Sequence, residues 1–335
     1  MFSWLKSVML LSALLPVLVS VIFLSGCGRQ QDGTSGPGGG TGQDSGKISV
    51  VTTIFPPYDF VREIAGNRAE LKMLLKPGEE SHSYEPTPQD IIAIQECDVF
   101  IYTGGENDVW VEDILSSMRD EDRLILRMAD CVDTVEEEHV EGMKESPGHD
   151  HDEHDMHSDS GTGEEDTHTV HEIDEHVWTS PVNAALIVDQ IKQLLIQADP
   201  SGQAVYEENA AIYEEKLTEL DQEFRDAVDH FPFRYFADEY GLDYYAAFPG
   251  CAGDTEPSAA TMAFLIDKVK EEKVPAVLKM ELSNDDIANA VAEAAGTEVK
   301  VFYSCHNLSA EDFESGETYL SMMQKNVETL KEVLN

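Results

Sequence analysis

Histidine is distributed along this chain in a way that predicts metal binding. The sequence contains 11 histidines. Most of them fall in one acidic, low-complexity tract, residues 133–175: His139, His149, His151, His154, His157, His168 and His171. The other four are far apart, each within a distinctive local sequence: His82, His176, His230 and His306. Because neutral imidazole is a common ligand of borderline metals such as Zn²⁺, the pattern indicates a protein built around a metal ion.

The elements that position the first of these histidines alternate between strand and helix. β-Branched and apolar runs predict strands, and helical spacing of apolar residues predicts helices between them. The predicted strands are 47–53, 70–75, 98–102 and 123–127, and the predicted helices are 58–65, 88–94 and 110–118. Pro56 and Pro57 separate the first strand from the first helix. Short connections between alternating strands and helices indicate a parallel α/β sheet.

A second α/β lobe is predicted after the acidic tract. Two helices come first, at 183–198 and 203–229, and the longer one spans about 40 Å. Weaker strands then alternate with helices: strands at 243–248, 274–280 and 298–303, and helices at 258–272, 285–295 and 317–334. His306 directly follows the last strand. We therefore expect two similar lobes joined by one long rigid helix, with a ligand cleft at the carboxyl ends of the strands.

The amino terminus predicts export. Lys6 precedes an apolar run at 8–24, and the tetrad Leu24-Ser25-Gly26-Cys27 is similar to a bacterial lipobox in which Cys27 is lipidated. An uncleaved membrane anchor is the alternative. The predicted organisation is a signal peptide (1–27), a flexible tether (28–46), an N-terminal lobe (47–182, including a disordered tract at 133–175), linking helices (183–229) and a C-terminal lobe (230–335).

Charge excludes two classes of partner. The formal net charge is −44, so nucleic acid and anionic lipid would be repelled. The acidic tract contributes strongly, with 17 carboxylates against the single Lys144. We expect this tract to collect Zn²⁺ weakly through His149, His151, His154, His157, His168 and His171. The alternative is a solvated linker without a binding role.

Cysteine usage fits an exported protein. If Cys27 carries lipid, four cysteines remain, and the simplest disulfide pairing is Cys97–Cys131 and Cys251–Cys305. Free buried thiols are the alternative.

Three motifs resemble one known family. They are GxxxHxYEPTP around His82, DxHxWxxP around His176, and HxxFxYF followed by YGL from His230. With the lipobox and the acidic His-rich tract, the chain resembles the solute-binding lipoproteins of bacterial zinc and manganese ABC importers. The resemblance implies metal ligands His82 and His176 in the first lobe and His230 in the second. It also implies His306 at a position that is often a carboxylate in manganese-binding members, with Cys305 as the competing alignment and Glu281 as a weaker candidate.

One segment departs from the family pattern. In the family a β-strand delivers the third histidine, whereas here the predicted helix continues up to His230. His306 is therefore the alternative to His230 as the principal ligand of the second lobe.

The resemblance implies transport without catalysis. We expect a monomeric, membrane-anchored lipoprotein outside the cytoplasm that captures Zn²⁺ and passes it to an ABC permease and its ATPase. Three or four imidazoles favour Zn²⁺ over Mn²⁺, and binding should weaken below about pH 6. An enzyme is not expected, because the spacing of His171 and His176 is one residue too long for an HExxH zinc motif. The alternatives are a manganese-binding homologue, a surface adhesin or a metal buffer.

Overall fold

A parallel four-stranded sheet organises the first lobe. The computed structural model describes residues 46–79, 84–105, 108–118, 123–136, 173–227, 239, 245–247 and 257–334. The sheet has the order β2–β1–β3–β4, and its strands are β1 (Ile48–Thr52), β2 (Ala69–Met73), β3 (Val99–Tyr102) and β4 (Leu124–Arg127). The central strand β3 is buried along its whole length, as expected for a strand covered by helices on both faces. The prediction of a parallel α/β sheet is confirmed.

Three helices connect these strands: α1 (Phe55–Ala65), α2 (Pro88–Glu96) and α3 (Val109–Ser117). Helix α1 begins earlier than predicted, because Pro56 and Pro57 occupy its first turn, where a missing N–H costs nothing. Helix α2 begins with a capping box in which the Thr87 and Asp90 side chains and backbone N–H groups bond reciprocally.

The remaining elements form two linking helices and the second lobe. The linking helices are α4 (Pro181–Ala198) and α5 (Gln203–Ala227). The second lobe contains α6 (Ala259–Glu272), β5 (Ala276–Met280), α7 (Asp285–Ala295), β6 (Glu298–Phe302), α8 (Ala310–Ser315) and α9 (Tyr319–Leu334). Strands β5 and β6 pair in parallel, as expected for strands connected by a helix.

One continuous hydrophobic core joins the sheet of the first lobe to the last helix. Helix α5 is 25 residues long, which is about 37 Å at 1.5 Å per residue. Its apolar stripe is buried against α1, α4 and α9: Tyr206, Ala210, Tyr213, Leu217, Leu220 and Phe224. Residues of the second lobe belong to the same cluster, including Phe302, Leu308 and Tyr319. The long helix is therefore a packed part of the core and not a bare connection between lobes.

Two predictions about irregular segments need correction. The ends of the acidic tract are ordered, because Glu136 and Ile173 form an antiparallel bridge and Asp174 N donates to Val135 O at 2.9 Å. Residues 137–172 lie outside the described residues. The predicted strand at 243–248 is not a strand at its described residues 245–247, which have no pairing partner within the described part of the chain, and a strand exists only in a ladder.

The predicted disulfide between Cys97 and Cys131 is wrong. Both thiols are free. Cys97 precedes β3 at the amino end of the sheet and Cys131 follows β4 at the carboxyl end, so the length of a strand, about 13 Å, separates them. A disulfide requires Cα atoms within about 7 Å. The Cys97 thiol instead donates to Ile94 O at 3.2 Å.

The second predicted disulfide is not formed either. Cys305 is a free thiol, fully buried in the shared core, and its sulfur donates to Tyr303 O at 3.9 Å. Cys251 lies outside the described residues, as do the predicted signal peptide, Cys27 and the tether up to residue 45. Within the part of the chain that the structure describes, no helix is both long and apolar enough to span a membrane.

Candidate metal site

His176 lies where the chain becomes ordered again after the acidic tract. It immediately precedes a 3₁₀ turn (Val177–Thr179) that leads into α4. Its Nδ1 atom is 2.8 Å from Asp174 Oδ1, and its backbone N–H donates to the same oxygen at 2.9 Å. Because an ionised carboxylate only accepts hydrogen bonds, Nδ1 carries the proton, so a metal ion would bind through Nε2. Asp174 therefore sets both the tautomer and the ring orientation.

His306 lies in the loop that follows β6, as its position after a parallel strand predicts. Its carbonyl oxygen accepts from Phe55 N at 3.4 Å, so the loop of the second lobe touches the start of α1 in the first. The ring is half-buried and lies edge-on to Trp178, with 5.1 Å between ring centroids. His306, although it belongs to the second lobe, thus contacts two residues of the first lobe.

The two imidazoles lie face to edge at a separation that suits one shared metal ion. The ring centroids of His176 and His306 are 5.7 Å apart and the ring planes meet at 84°. Two imidazoles on one tetrahedral Zn²⁺, with Zn–N bonds of about 2.0–2.1 Å, have ring centroids roughly 5 Å apart. The observed separation of the ring centroids is therefore close to that of two imidazoles on one ion.

Trp178 is the wall against which both histidines pack. It is fully buried, and its ring centroid lies 5.5 Å from that of His176. Its indole N–H donates to Ser304 O at 2.9 Å, and its own carbonyl accepts from the Tyr319 hydroxyl at 2.7 Å. A buried aromatic residue whose ring and backbone each make one such hydrogen bond restricts the positions of both imidazoles.

Glu281 supports the His306 loop. Its two carboxylate oxygens accept from Ser304 N at 2.7 Å and from the Ser304 hydroxyl at 3.0 Å. Burial raises the pKa of Glu281 to about 7. This arrangement favours a supporting role over the ligand role considered for it. Cys305 is fully buried in the shared core, and this burial raises the pKa of its thiol well above the usual value.

Two buried carboxylates lie in a small cavity beside His306. The cavity is lined by Thr53, Tyr84, Asp108, Trp110, Glu175 and His306, among others. Burial raises the pKa of Asp108 to about 6, although Thr103 N and Gly104 N donate to it at 2.8 and 3.0 Å. The Thr53 hydroxyl is buried without a hydrogen-bond partner in the described structure. A polar cavity next to the imidazoles favours a cation or water as occupant.

The structure brings together only part of the predicted ligand set. His176 and His306 meet, whereas His82, His230 and the seven tract histidines lie outside the described residues. Among the residues that are described, no group of three or more His, Cys, Asp or Glu side chains is arranged to hold a metal ion. A site with more than these two imidazoles remains a prediction from the motifs.

Sequence reasoning missed the residues that orient the histidines. Asp174 and Trp178 are the aspartate and tryptophan of the DxHxWxxP motif around His176. Their short spacing from His176 was the sequence feature that could have identified them as supporting residues. The hydrogen bond between Ser304 and Glu281 joins residues 23 positions apart, so no local sequence pattern predicts it.

Comparisons with known proteins identify the family of this chain. A family model described as "ZnuA: Zinc-uptake complex component A periplasmic" matches residues 50–333. The high-affinity zinc uptake system protein ZnuA of Bacillus subtilis (strain 168) is 31% identical over 333 residues, covering 96% of this chain and 97% of that protein. The zinc-binding lipoprotein AdcA of Streptococcus pneumoniae (strain ATCC BAA-255 / R6) is 32% identical over 336 residues, which cover 96% of this chain. The chain spans 60% of the length of that relative.

Solved structures share the fold over most of the chain. The Zn(II)-bound ZnuA-like domain of Streptococcus pneumoniae AdcA superposes with a TM-score of 0.67 at 30% identity, covering 86% of this chain and 99% of that domain. The metal-dependent lipoprotein YcdH of Bacillus subtilis superposes with a TM-score of 0.68 at 28% identity, covering 86% of this chain and 99% of that chain.

Proposed function

This chain belongs to the family of periplasmic zinc-uptake component A proteins, and from that premise we propose that it is the solute-binding component of a zinc ABC importer. The observation that carries the proposal is the pairing of His176 from the first lobe with His306 from the second, whose ring centroids are 5.7 Å apart. The Asp174 carboxylate orients the His176 ring. Zn²⁺ is the cargo, bound outside the cytoplasm and delivered to a membrane permease driven by an ATPase. No chemistry is performed on the metal, so the protein is not an enzyme.

The full ligand set in this proposal is His82, His176, His230 and His306. Imidazole nitrogens suit Zn²⁺, whereas Mn²⁺ prefers oxygen-rich sites. The two histidines whose positions are described have oriented rings, which lowers the entropy lost on binding. The acidic tract with its seven histidines gathers Zn²⁺ near the cleft, and Cys27 anchors the protein to the membrane through lipid.

Release of the metal requires only small movements in this proposal. The shared core packs α5 against α1 and α9, so wide opening of the two lobes would expose a large buried surface. Short loops carry both described histidines, and shifts of these loops are enough to separate two ligands of one ion. Docking to the permease supplies the free energy for this change.

The test measures Zn²⁺ stoichiometry and affinity by chelator competition on the full chain in detergent. Four variants are compared with the parent: His176→Ala, His306→Ala, one in which all seven tract histidines are Gln, and Asn209→Ala as a control. Asn209 donates to Ile64 O at 2.9 Å between α5 and α1, away from the histidines. Mn²⁺ is titrated in parallel.

We expect one tight Zn²⁺ that survives replacement of the tract histidines and is weakened at least a hundredfold by either cleft substitution. Asn209→Ala should leave the affinity unchanged. If tight binding disappears with the tract histidines and persists in His176→Ala and His306→Ala, the metal belongs to the tract and the cleft proposal is wrong.

A further inference from the structure

The loop that carries His306 is fastened to the first lobe on both sides of the histidine. Before it, Ser304 O accepts from the Trp178 indole at 2.9 Å. After it, Leu308 O accepts from Gly78 N at 2.8 Å. The second of these contacts joins the His306 loop to residues 76–79, the turn that follows β2 and precedes His82 by three residues in the sequence.

Asn307 makes the closest connection between these two segments. Its side-chain Nδ2 donates to Lys76 O at 2.9 Å and to Glu79 O at 2.8 Å, while its Oδ1 accepts from Leu308 N at 2.9 Å. The residue is only 3% exposed. Both amide hydrogens and the amide oxygen are therefore engaged, and shielding from water strengthens each bond.

The chemistry of this contact requires a carboxamide. The two acceptors are backbone carbonyls, so the side chain must supply two hydrogens, and the third contact requires an acceptor oxygen. Aspartate has the same shape but only accepts when ionised, and it would bring its charge against two carbonyl oxygens. Alanine would leave all three groups without this partner.

The turn held by Asn307 is itself well defined. Glu79 N donates to Lys76 O at 3.0 Å, which closes the turn, and Gly78 adopts a left-handed φ of 83° within it. Asn307 thus holds both ends of one closed turn, Lys76 and Glu79, and joins this turn to the loop that carries His306. A ligand histidine in a loop that is already held in place loses less entropy when it binds metal.

From these contacts we propose that Asn307 is a positioning residue that fastens the His306 loop to the first-lobe turn at Lys76–Glu79 and so holds His306 in place beside His176 for Zn²⁺. The inference rests on the proposed zinc-binding function and adds a residue that touches no metal. Loss of both hydrogen bonds should leave the His306 loop less firmly held and weaken Zn²⁺ binding about tenfold, which is about 1.4 kcal/mol of binding free energy.

The experiment uses the full chain in detergent and compares Asn307→Ala and Asn307→Asp with the parent. Asn209→Ala is the matched control, since it removes one side-chain hydrogen bond to a backbone carbonyl far from the site. Three quantities are measured for each variant: the Zn²⁺ dissociation constant, the rate of Zn²⁺ release to a chelator, and the visible absorption of bound Co²⁺ as a probe of ligand geometry.

The expected result is about tenfold weaker binding and about tenfold faster release in both Asn307 variants, with an altered Co²⁺ spectrum. Asn209→Ala should lower stability without changing any of the three quantities. Unchanged binding in both Asn307 variants would overturn the proposal, and so would equal weakening in Asn209→Ala. A parent that binds no tight Zn²⁺ would instead refute the zinc-binding function and this inference with it.

Hydrogen exchange on the unmodified protein tests the same idea if the variants do not fold. Amides of residues 76–79 and 304–308 should gain protection together as Zn²⁺ is added, at the same metal concentration. If one segment gains protection while the other remains unchanged, the two loops are not coupled and the proposal fails.

Discussion

The indole nitrogen of Trp178 donates a 2.9 Å hydrogen bond to the carbonyl oxygen of Ser304. The bond joins a first-lobe residue two positions after His176 to a second-lobe residue two positions before His306. The first lobe therefore supplies His176 and the hydrogen-bond donor, and the second lobe supplies His306 and the acceptor. The relative position of the two histidines depends on this contact between the lobes.

Replacement of Trp178 by Phe tests this relationship. The variant keeps most of the packing but leaves the buried Ser304 carbonyl without its donor, which costs about 1–3 kcal/mol of unfolding free energy. Zn²⁺ affinity should fall as well. Tyr319→Phe is the comparison, because it removes the other hydrogen bond to Trp178 on the side away from the histidines. Urea unfolding and chelator competition should show both variants destabilised but only Trp178→Phe weakened for Zn²⁺.

Removal of the Asp174 carboxylate should weaken Zn²⁺ binding without unfolding the protein. Asp174→Ala frees the His176 ring and its tautomer, and losses of 10–100-fold are typical for such supporting carboxylates. Asp174→Asn keeps an acceptor oxygen and should lose less. Asp189→Asn, which removes a carboxylate paired with Lys192 on α4, controls for the change in net charge. Parent-like affinity in Asp174→Ala would show that this carboxylate does not orient a ligand.

Asp59 predicts a specific pH dependence of stability in the metal-free protein. Burial raises its pKa from 3.8 to about 6, against the opposing effect of Arg62. The folded state thus binds the Asp59 proton more tightly than the unfolded state does. The contribution of Asp59 protonation to the free energy of unfolding is therefore complete below about pH 3.8 and is lost as the pH rises through about 6. The loss amounts to at most about 3 kcal/mol at 1.36 kcal/mol per pK unit.

The measurement for Asp59 is urea unfolding with chelator present at several values between pH 4 and pH 7. The Asp59→Asn variant keeps an oxygen that can accept from Tyr319 N, the bond that Asp59 makes at 2.7 Å, but it cannot titrate. The stability of the parent relative to this variant should decline as the pH rises. Parallel curves for the two proteins would contradict the prediction.

The three described thiols should be reduced and react slowly, if at all, in the folded protein. Cys97 and Cys305 are buried, Cys131 is partly buried, and all three are free. A reductant should therefore leave the melting temperature unchanged, and a thiol reagent should label these positions only after denaturation. Mass spectrometry of the labelled peptides locates each one. A Cys97–Cys131 disulfide detected without reductant would contradict the placement of these two cysteines at opposite ends of the sheet.

The sequence by itself determined most elements of the fold and named the histidines that are proposed to bind metal. Strand and helix periodicity placed β1 to β6 and most helices within a few residues, because apolar spacing directly reflects which face is buried. The DxHxWxxP motif also located His176, since its supporting Asp174 is close enough in sequence to be part of the same pattern.

Only the tertiary structure decided how the histidines are held. Trp178 with Ser304, Glu281 with Ser304 and Asn307 with Lys76 and Glu79 are contacts between residues 126, 23, 231 and 228 positions apart. Spacing along the chain carries no information about such pairs, because their approach depends on how the lobes pack around α5. The same reason explains the disulfide error: Cys97 and Cys131 belong to the same lobe, but the parallel sheet places them at opposite ends of its strands.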